Sequence, residues 1–354
     1  MKIKSLHFNA VGPLQDESFD LTDDWTGGIH TQVLLSGPNG CGKSTVLRAV
    51  AMLWEAAGYW LDQRKQLPKN HPVRLWLQRW GGVGVVLADT GVTGDAHTPL
   101  GLFFGDASGF AELKKTHLDV HWLGESVVRG AVGAPRKTLV VPEEHWLTKF
   151  SDARKKMILG FDGTALPNIV FMDAEERRWV TPKRRVGEFL AESPQLRWLP
   201  RYLATDDWDS QLEASLINLK LTHEAKFKKV LSDLNAFLFD KSIESDMPEG
   251  SNRLRVRLKS GSKGFITLDD LSAGEHQALI MIYLIARWAE KGCVVLIDEP
   301  DLYLHPSLIS LLLSRLENMV RELGGQLLIT SHIRTVWDRY ETAGRRIELG
   351  AQHP

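Results

Sequence analysis

The chain has 354 residues, 43% of them apolar, enough to bury a large core as one elaborated domain or two lobes, which excludes a small module. With 43 basic and 44 acidic residues the formal net charge is -1, so no global field draws the chain to nucleic acid, and any such contact has to come from a local patch. Two cysteines, Cys41 and Cys293, argue against a disulfide framework or a zinc site and fit a reducing, cytoplasmic compartment.

The N-terminal MKIKSLHFNAVG lacks the long apolar core of a signal peptide. No stretch approaches the roughly 18 to 20 apolar residues of a membrane span, so a soluble protein without a membrane partner is expected. The sequence has no heptad tract, repeat period or low-complexity linker, and its 12 tryptophans read as core or lobe-interface residues.

The first chemical signal is GPNGCGKST, formed by Gly37, Pro38, Asn39, Gly40, Cys41, Gly42, Lys43, Ser44 and Thr45. It lies between the apolar run Val33-Leu34-Leu35 and a predicted helix from Ser44 to about Gly58, with Val46, Leu47, Val50 and Leu53 on its buried face. Strand, glycine turn and helix are the context a phosphate-binding loop needs. The glycines let backbone N–H groups turn toward a phosphate, Lys43 can reach the terminal phosphates, and the Ser44 hydroxyl can ligate magnesium. Cys41 reads as a small filler.

Apolar runs at 83–87, 100–104, 118–122 and 138–141, broken by glycine, aspartate and proline, predict an antiparallel sheet. Residues 176–202 interleave Arg177, Arg178, Lys183, Arg184, Arg185, Arg197 and Arg201 with Trp179, Trp198 and Tyr202. Such a cluster suits phosphates and stacked bases, or else a solvated face or an acidic partner. Residues 207–239 predict helix, with Leu212, Leu216, Leu219, Phe227, Val230, Leu234 and Phe237 buried. Strand-like alternation follows over 253–258 and 265–268.

In LSAGEHQ (271–277), Ser272 and Gly274 precede an apolar helix and offer an N-cap hydroxyl and open N–H groups to an anion. The buried-strand pattern at 292–297 ends in Asp298-Glu299-Pro300, which puts two carboxylates at a strand's carboxyl end. In a phosphate-loop NTPase, Asp298 would hold magnesium through water and Glu299 would activate the attacking water. A further strand, 326–330, delivers Ser331-His332 to the same edge, where His332 suits a sensor of the terminal phosphate.

These motifs resemble the ATP-binding cassette (ABC) superfamily in its non-transporter branch, with RecF, the SMC proteins and OLD-type ATPases. GPNGCGKST stands as Walker A, LSAGEHQ as signature, VVLIDEPDLYLHP as Walker B with D-loop, and LLITSH as histidine switch. Gly274 lies 24 residues before Asp298 and His332 lies 34 after it, a compact spacing similar to that family's. The resemblance implies an α/β P-loop ABC-ATPase head with a mixed core sheet, an antiparallel β subdomain and a helical lobe. Residues 1–175 would form the nucleotide-binding lobe, 176–270 a helical and variable insert, and 271–354 the remainder of the ATPase core.

The resemblance further implies ATP and Mg2+ as cofactors and a head-to-tail homodimer. Each ATP would be held between Walker A of one subunit and Ser272 and Gly274 of the other. The family's Q-loop glutamine has no clean counterpart: the strand at 169–172 is followed by Asp173, and Gln78 and Gln195 are the other candidates. Only 22 residues follow His332, without the acidic cluster of the Toprim nuclease that OLD-type proteins often carry. The expectation is an ATPase controlling a separate nuclease or toxin encoded nearby in bacterial defence, as in two-gene systems such as Septu. The alternative is a RecF-like DNA repair clamp.

Overall fold

The computed structural model describes residues 1–91, 99–129, 135–160, 166–181, 193–205, 211–259 and 264–350. Its centre is a five-stranded sheet built from β3 (Gln32–Ser36), β8 (Ile169–Met172), β12 (Val294–Ile297), β13 (Gln326–Thr330) and β14 (Arg345–Glu348). The order is β14-β3-β13-β12-β8, and every neighbouring pair is parallel. Parallel strands need crossovers, supplied after β12 by α8 (Pro306–Glu322) and after β13 by α9 (Arg334–Ala343).

These strands read as unbroken apolar runs because both faces are covered. Val33, Leu35, Ile169, Phe171, Val294, Leu296 and Leu328 enter one core. Their alternates Leu34, Val170, Met172, Val295, Ile297, Leu327 and Ile329 enter a second. The period-two geometry of a strand thus divides one sequence run between two hydrophobic layers.

The first core also holds α1 (Lys43–Gln63), packed between the parallel sheet and a six-stranded sheet, with α2 (Pro72–Leu77) and α4 (Glu144–Leu159) beside it. The six strands are β1 (Lys2–Val11), β2 (Leu14–Asp20), β4 (Gly82–Ala88), β5 (Leu100–Asp106), β6 (His121–Val128) and β7 (Arg136–Val140), ordered β2-β1-β4-β5-β6-β7. Pairing is antiparallel as predicted except between β5 and β6, which are parallel and joined across α3 (Ala107–Thr116). The helix α1 runs past Gly58, the end expected from sequence. Glycine serves close packing there, since a Cβ would lie 2.8 Å from the Arg154 guanidinium and 2.9 Å from the Trp198 indole nitrogen.

The second core carries the helical lobe: α5 (Leu212–Thr222), α6 (Glu224–Asn235) and α7 (Ala273–Trp288). Beside it lies a small antiparallel sheet of β9 (Lys241–Ile243), β10 (Arg255–Leu258) and β11 (Phe265–Thr267). All seven residues predicted to be buried between 212 and 237 are buried. The architecture is an α/β P-loop head combining parallel and mixed sheets with a helical lobe. Among the described residues no helix is long and apolar enough to cross a membrane.

Candidate active site

The strand order sets β13 between β3 and β12, so the segments leaving the carboxyl ends of all three strands meet at one edge. They are the glycine loop after β3, Asp298-Glu299 after β12 and Ser331-His332 after β13.

In the loop, Gly37 has φ 136°, and a Cβ there would lie 2.3 Å from the Leu349 carbonyl oxygen. Gly42 has φ 103° and opens α1, and its missing Cβ leaves room for Pro13 at the β1-β2 turn. Both positions need a residue without a side chain. Cys41 is buried, the small filler expected. The buried Lys43 ammonium donates to the carbonyls of Gly37 (3.0 Å) and Pro38 (2.9 Å), while Pro38, Asn39, Gly40 and Ser44 are exposed and Thr45 is half-buried.

Across from the loop, Ser44 Oγ donates to Asp298 Oδ1 at 3.0 Å, and Thr330 Oγ1 donates to the same oxygen at 2.6 Å. Thr330 Oγ1 also accepts the Glu299 N–H at 2.8 Å. The Glu299 carboxylate lies 3.1 Å from His332 Nε2. Glu299 has φ 46°, a left-handed conformation that costs a non-glycine residue about 1–3 kcal/mol and that its surroundings must hold. Lys43, Ser44, Asp298, Glu299 and His332 therefore converge. Sequence reading took Thr330 only as the end of a strand, although a hydroxyl directly before Ser331-His332 is the signal that marks it.

Ser44 and Asp298 present a hydroxyl and a carboxylate, the hard oxygen donors that magnesium prefers. Among the described residues no cluster of three or more His, Cys, Asp or Glu could hold a metal by itself. A cation completed by phosphate oxygens and water fits such a donor set.

Ser272 and Gly274 stand apart from this group, at the start of α7. Ser272 caps the helix, accepting from Glu275 N–H at 3.3 Å while Glu275 Oε2 accepts from Ser272 N–H at 2.8 Å. Burial works to raise the Glu275 pKa, but Lys241, 2.6 Å away, and the Ser272 hydrogen bonds outweigh it and hold the carboxyl below its usual range. Gly274 packs against the segment that follows the two carboxylates, where a Cβ would lie 3.0 Å from the Tyr303 carbonyl oxygen.

The basic and aromatic stretch after β8 is, among its described residues, mostly interior and not the surface patch that its composition suggested. Arg177, expected to meet phosphates at the surface, is fully buried. Its guanidinium donates to the carbonyls of Asp298 (2.6 Å), Glu299 (2.8 Å) and Met172 (3.2 Å) and to Gln277 Oε1 (3.1 Å). Backbone carbonyls buried where strands end need donors, and Arg177 supplies them. Trp198 stacks on Trp54 at 4.0 Å between ring centres, Trp179 on His276 at 4.2 Å, and Tyr202 is buried. Arg197 bonds to the carbonyls of Met157 and Gly160, and Arg201 pairs with Glu55. Arg178 is exposed, while Lys183, Arg184 and Arg185 lie outside the described residues.

Asp173 occupies the strand end where a glutamine was sought and pairs with Arg48. Gln78 is exposed at the end of α2, and the Gln195 side chain lies outside the described residues.

Two family models match the sequence. One, described as an AAA domain, covers residues 1–57, and the other, described as "AAA domain, putative AbiEii toxin, Type IV TA system", covers 175–336. No curated protein matches. Among solved structures, the SMC head domain from Thermotoga maritima is similar at 14% identity, with 98% of this chain and 94% of that chain covered and a TM-score of 0.43. An SMC head bound to the C-terminal winged-helix domain of ScpA is similar at 12% identity, with 96% and 91% covered and a TM-score of 0.49. Together with the geometry of the loop and the two carboxylates, the AAA-domain matches support a P-loop ATPase.

Proposed function

We propose that the chain is an ABC-type ATPase that binds ATP with magnesium and dimerises head to tail around it. That switch would control a partner effector, such as a nuclease or toxin encoded nearby, in nucleic-acid-linked bacterial defence. The observation that carries the hydrolytic part is the convergence of Ser44 and Thr330 on Asp298, beside a Glu299 carboxylate 3.1 Å from His332. In this reading residues 1–175 and 271–354 build the ATPase core in the cytoplasm, and 176–270 carry the variable lobe.

The backbone from Gly37 to Thr45 cradles the phosphates, and Lys43 exchanges its carbonyl partners for the terminal phosphates. Magnesium held by Ser44 and Asp298 would offset phosphate charge when bound. Glu299 orients the attacking water and takes its proton as the water oxygen closes on the terminal phosphorus, while the bond from that phosphorus to the bridging oxygen breaks and its electron pair leaves with ADP. His332 Nε2, beside the Glu299 carboxylate before nucleotide binds, turns its N–H to the terminal phosphate once ATP is present. Ser272, exposed at the capped start of α7, and Gly274 beside it meet the terminal phosphate bound by the partner subunit, the Ser272 hydroxyl exchanging Glu275 for a phosphate oxygen.

The description carried by the 175–336 match, a putative toxin of a type IV toxin–antitoxin system, favours a defence setting over the RecF-like repair clamp. Nucleic-acid contact is assigned to Arg178, Lys183, Arg184 and Arg185. Filter binding at two salt concentrations tests it: charge-removal variants lower affinity and flatten the salt slope, and unchanged binding removes the patch. The hydrolytic reading is tested by phosphate release from ATP. Magnesium-dependent turnover that disappears in Lys43→Ala is expected, and a wild-type chain without turnover contradicts it.

A further inference from the structure

We infer that Arg177 is a positioning residue that locks the backbone of Asp298 and Glu299 to the start of α7 and thereby aims the Glu299 carboxylate. The inference deepens the ATPase reading above and rests on it. Arg177 reaches two consecutive carbonyls, those of Asp298 and Glu299, with Nη1 and Nη2 of one planar fork. Thr330 fixes the Glu299 N–H from the opposite side. The Glu299 peptide groups are therefore held from two directions in the left-handed conformation at φ 46°, and the carboxylate they carry lies beside His332.

The third nitrogen of the guanidinium, Nε, donates to Gln277 Oε1, and Gln277 Nε2 returns a hydrogen bond to the Arg177 carbonyl. Both residues are buried, so water cannot replace either bond. Gln277 lies about one turn into α7 from Ser272 and Gly274, the residues proposed to touch a nucleotide on another subunit. A shift of that helix end on nucleotide contact would reach the Glu299 backbone through a pair of side chains. Burial lowers the guanidinium pKa to about 10, opposed by Asp298, Asp173, Asp301 and Glu299, so Arg177 remains charged at neutral pH among four carboxylates. A lysine keeps that charge but cannot span two carbonyls and a side-chain amide from one nitrogen.

The test separates turnover from binding in Arg177→Ala, Arg177→Lys and Gln277→Leu, the last leaving the guanidinium-to-carbonyl contacts in place. Expected are a kcat lowered about 10- to 100-fold in both Arg177 variants and about threefold in Gln277→Leu, with the Kd for ATP and magnesium within about threefold of wild type. Millimolar guanidinium should raise kcat of Arg177→Ala several-fold, and ammonium should not. Wild-type kcat in Arg177→Ala overturns the inference. So does an equal loss of kcat and affinity in all three variants without guanidinium rescue, which would make Arg177 a structural residue only. If wild type itself hydrolyses no ATP, the underlying reading fails instead.

Discussion

Two groups of reactive side chains in this chain differ in their surroundings: those at the strand ends are partly open, and most of those described between 176 and 202 are buried. At the carboxyl edge of the parallel sheet, Ser44 is exposed, and Glu299 and His332 are partly exposed beside the buried Asp298. Between 176 and 202, Arg177, Trp198 and Tyr202 are buried, and Trp179 lies against His276. The first group follows apolar strands covered on both faces, so the polar residues that terminate those strands emerge where no core remains. The second group lies alongside the cores, where unpaired carbonyls and stacked rings consume the same residue types. Residue type sets what a side chain can do, and its place relative to a strand end sets what it is left to do.

The comparison breaks most visibly at Glu299. Glu299→Gln should lower kcat by about 10²- to 10⁴-fold while nucleotide binding persists, measured as phosphate release beside Kd. Turnover equal to wild type would rule out Glu299 as the hydrolytic base. At the other stretch, Trp198→Ala should cost about 3–5 kcal/mol in chemical denaturation, because it empties the place opposite Trp54. Unchanged stability with weakened nucleic-acid binding would return that indole to the surface.

Thr330→Val sharpens the first half. It leaves Asp298 and the Glu299 N–H without their buried hydroxyl partner, for a loss of about 1–3 kcal/mol in urea unfolding. A smaller effect concerns the cap of α7. The folded Glu275 pKa is depressed, so its contribution is present above the ordinary value of 4.5 and is lost as pH falls through the lower folded value. Wild type should exceed Glu275→Gln by about 1 kcal/mol at pH 7, and the two denaturation curves should converge at acid pH. Arg178→Ala, on an exposed side chain, should stay within about 0.5 kcal/mol of wild type.

Much of the candidate site is legible in the sequence because glycine loop, strand and helix each restrict the backbone, and together they fix where Lys43, Ser44, Asp298 and His332 lie. The central strands are legible for the same reason, each a short apolar run with a chemical signal directly after it, although the sequence implied a mixed sheet where all neighbouring pairs are parallel. The β5-β6 pair is not legible, since a strand's own pattern does not state its neighbour's direction, and α3 between them has one buried residue, Phe110. Arg177 is hidden for a different reason. Two of its partners are the Asp298 and Glu299 carbonyls, more than a hundred positions away, and carbonyls leave no mark in a sequence. Thr330 is intermediate, visible as a hydroxyl at a strand end but given meaning only by Asp298 beside it.

The central claim, an ATP-bound head-to-tail dimer, is tested most directly by light scattering on Glu299→Gln with and without ATP and magnesium. Mass is expected to double when both are present and to return to that of a single chain when either is withheld. A mass that does not change with nucleotide would contradict it.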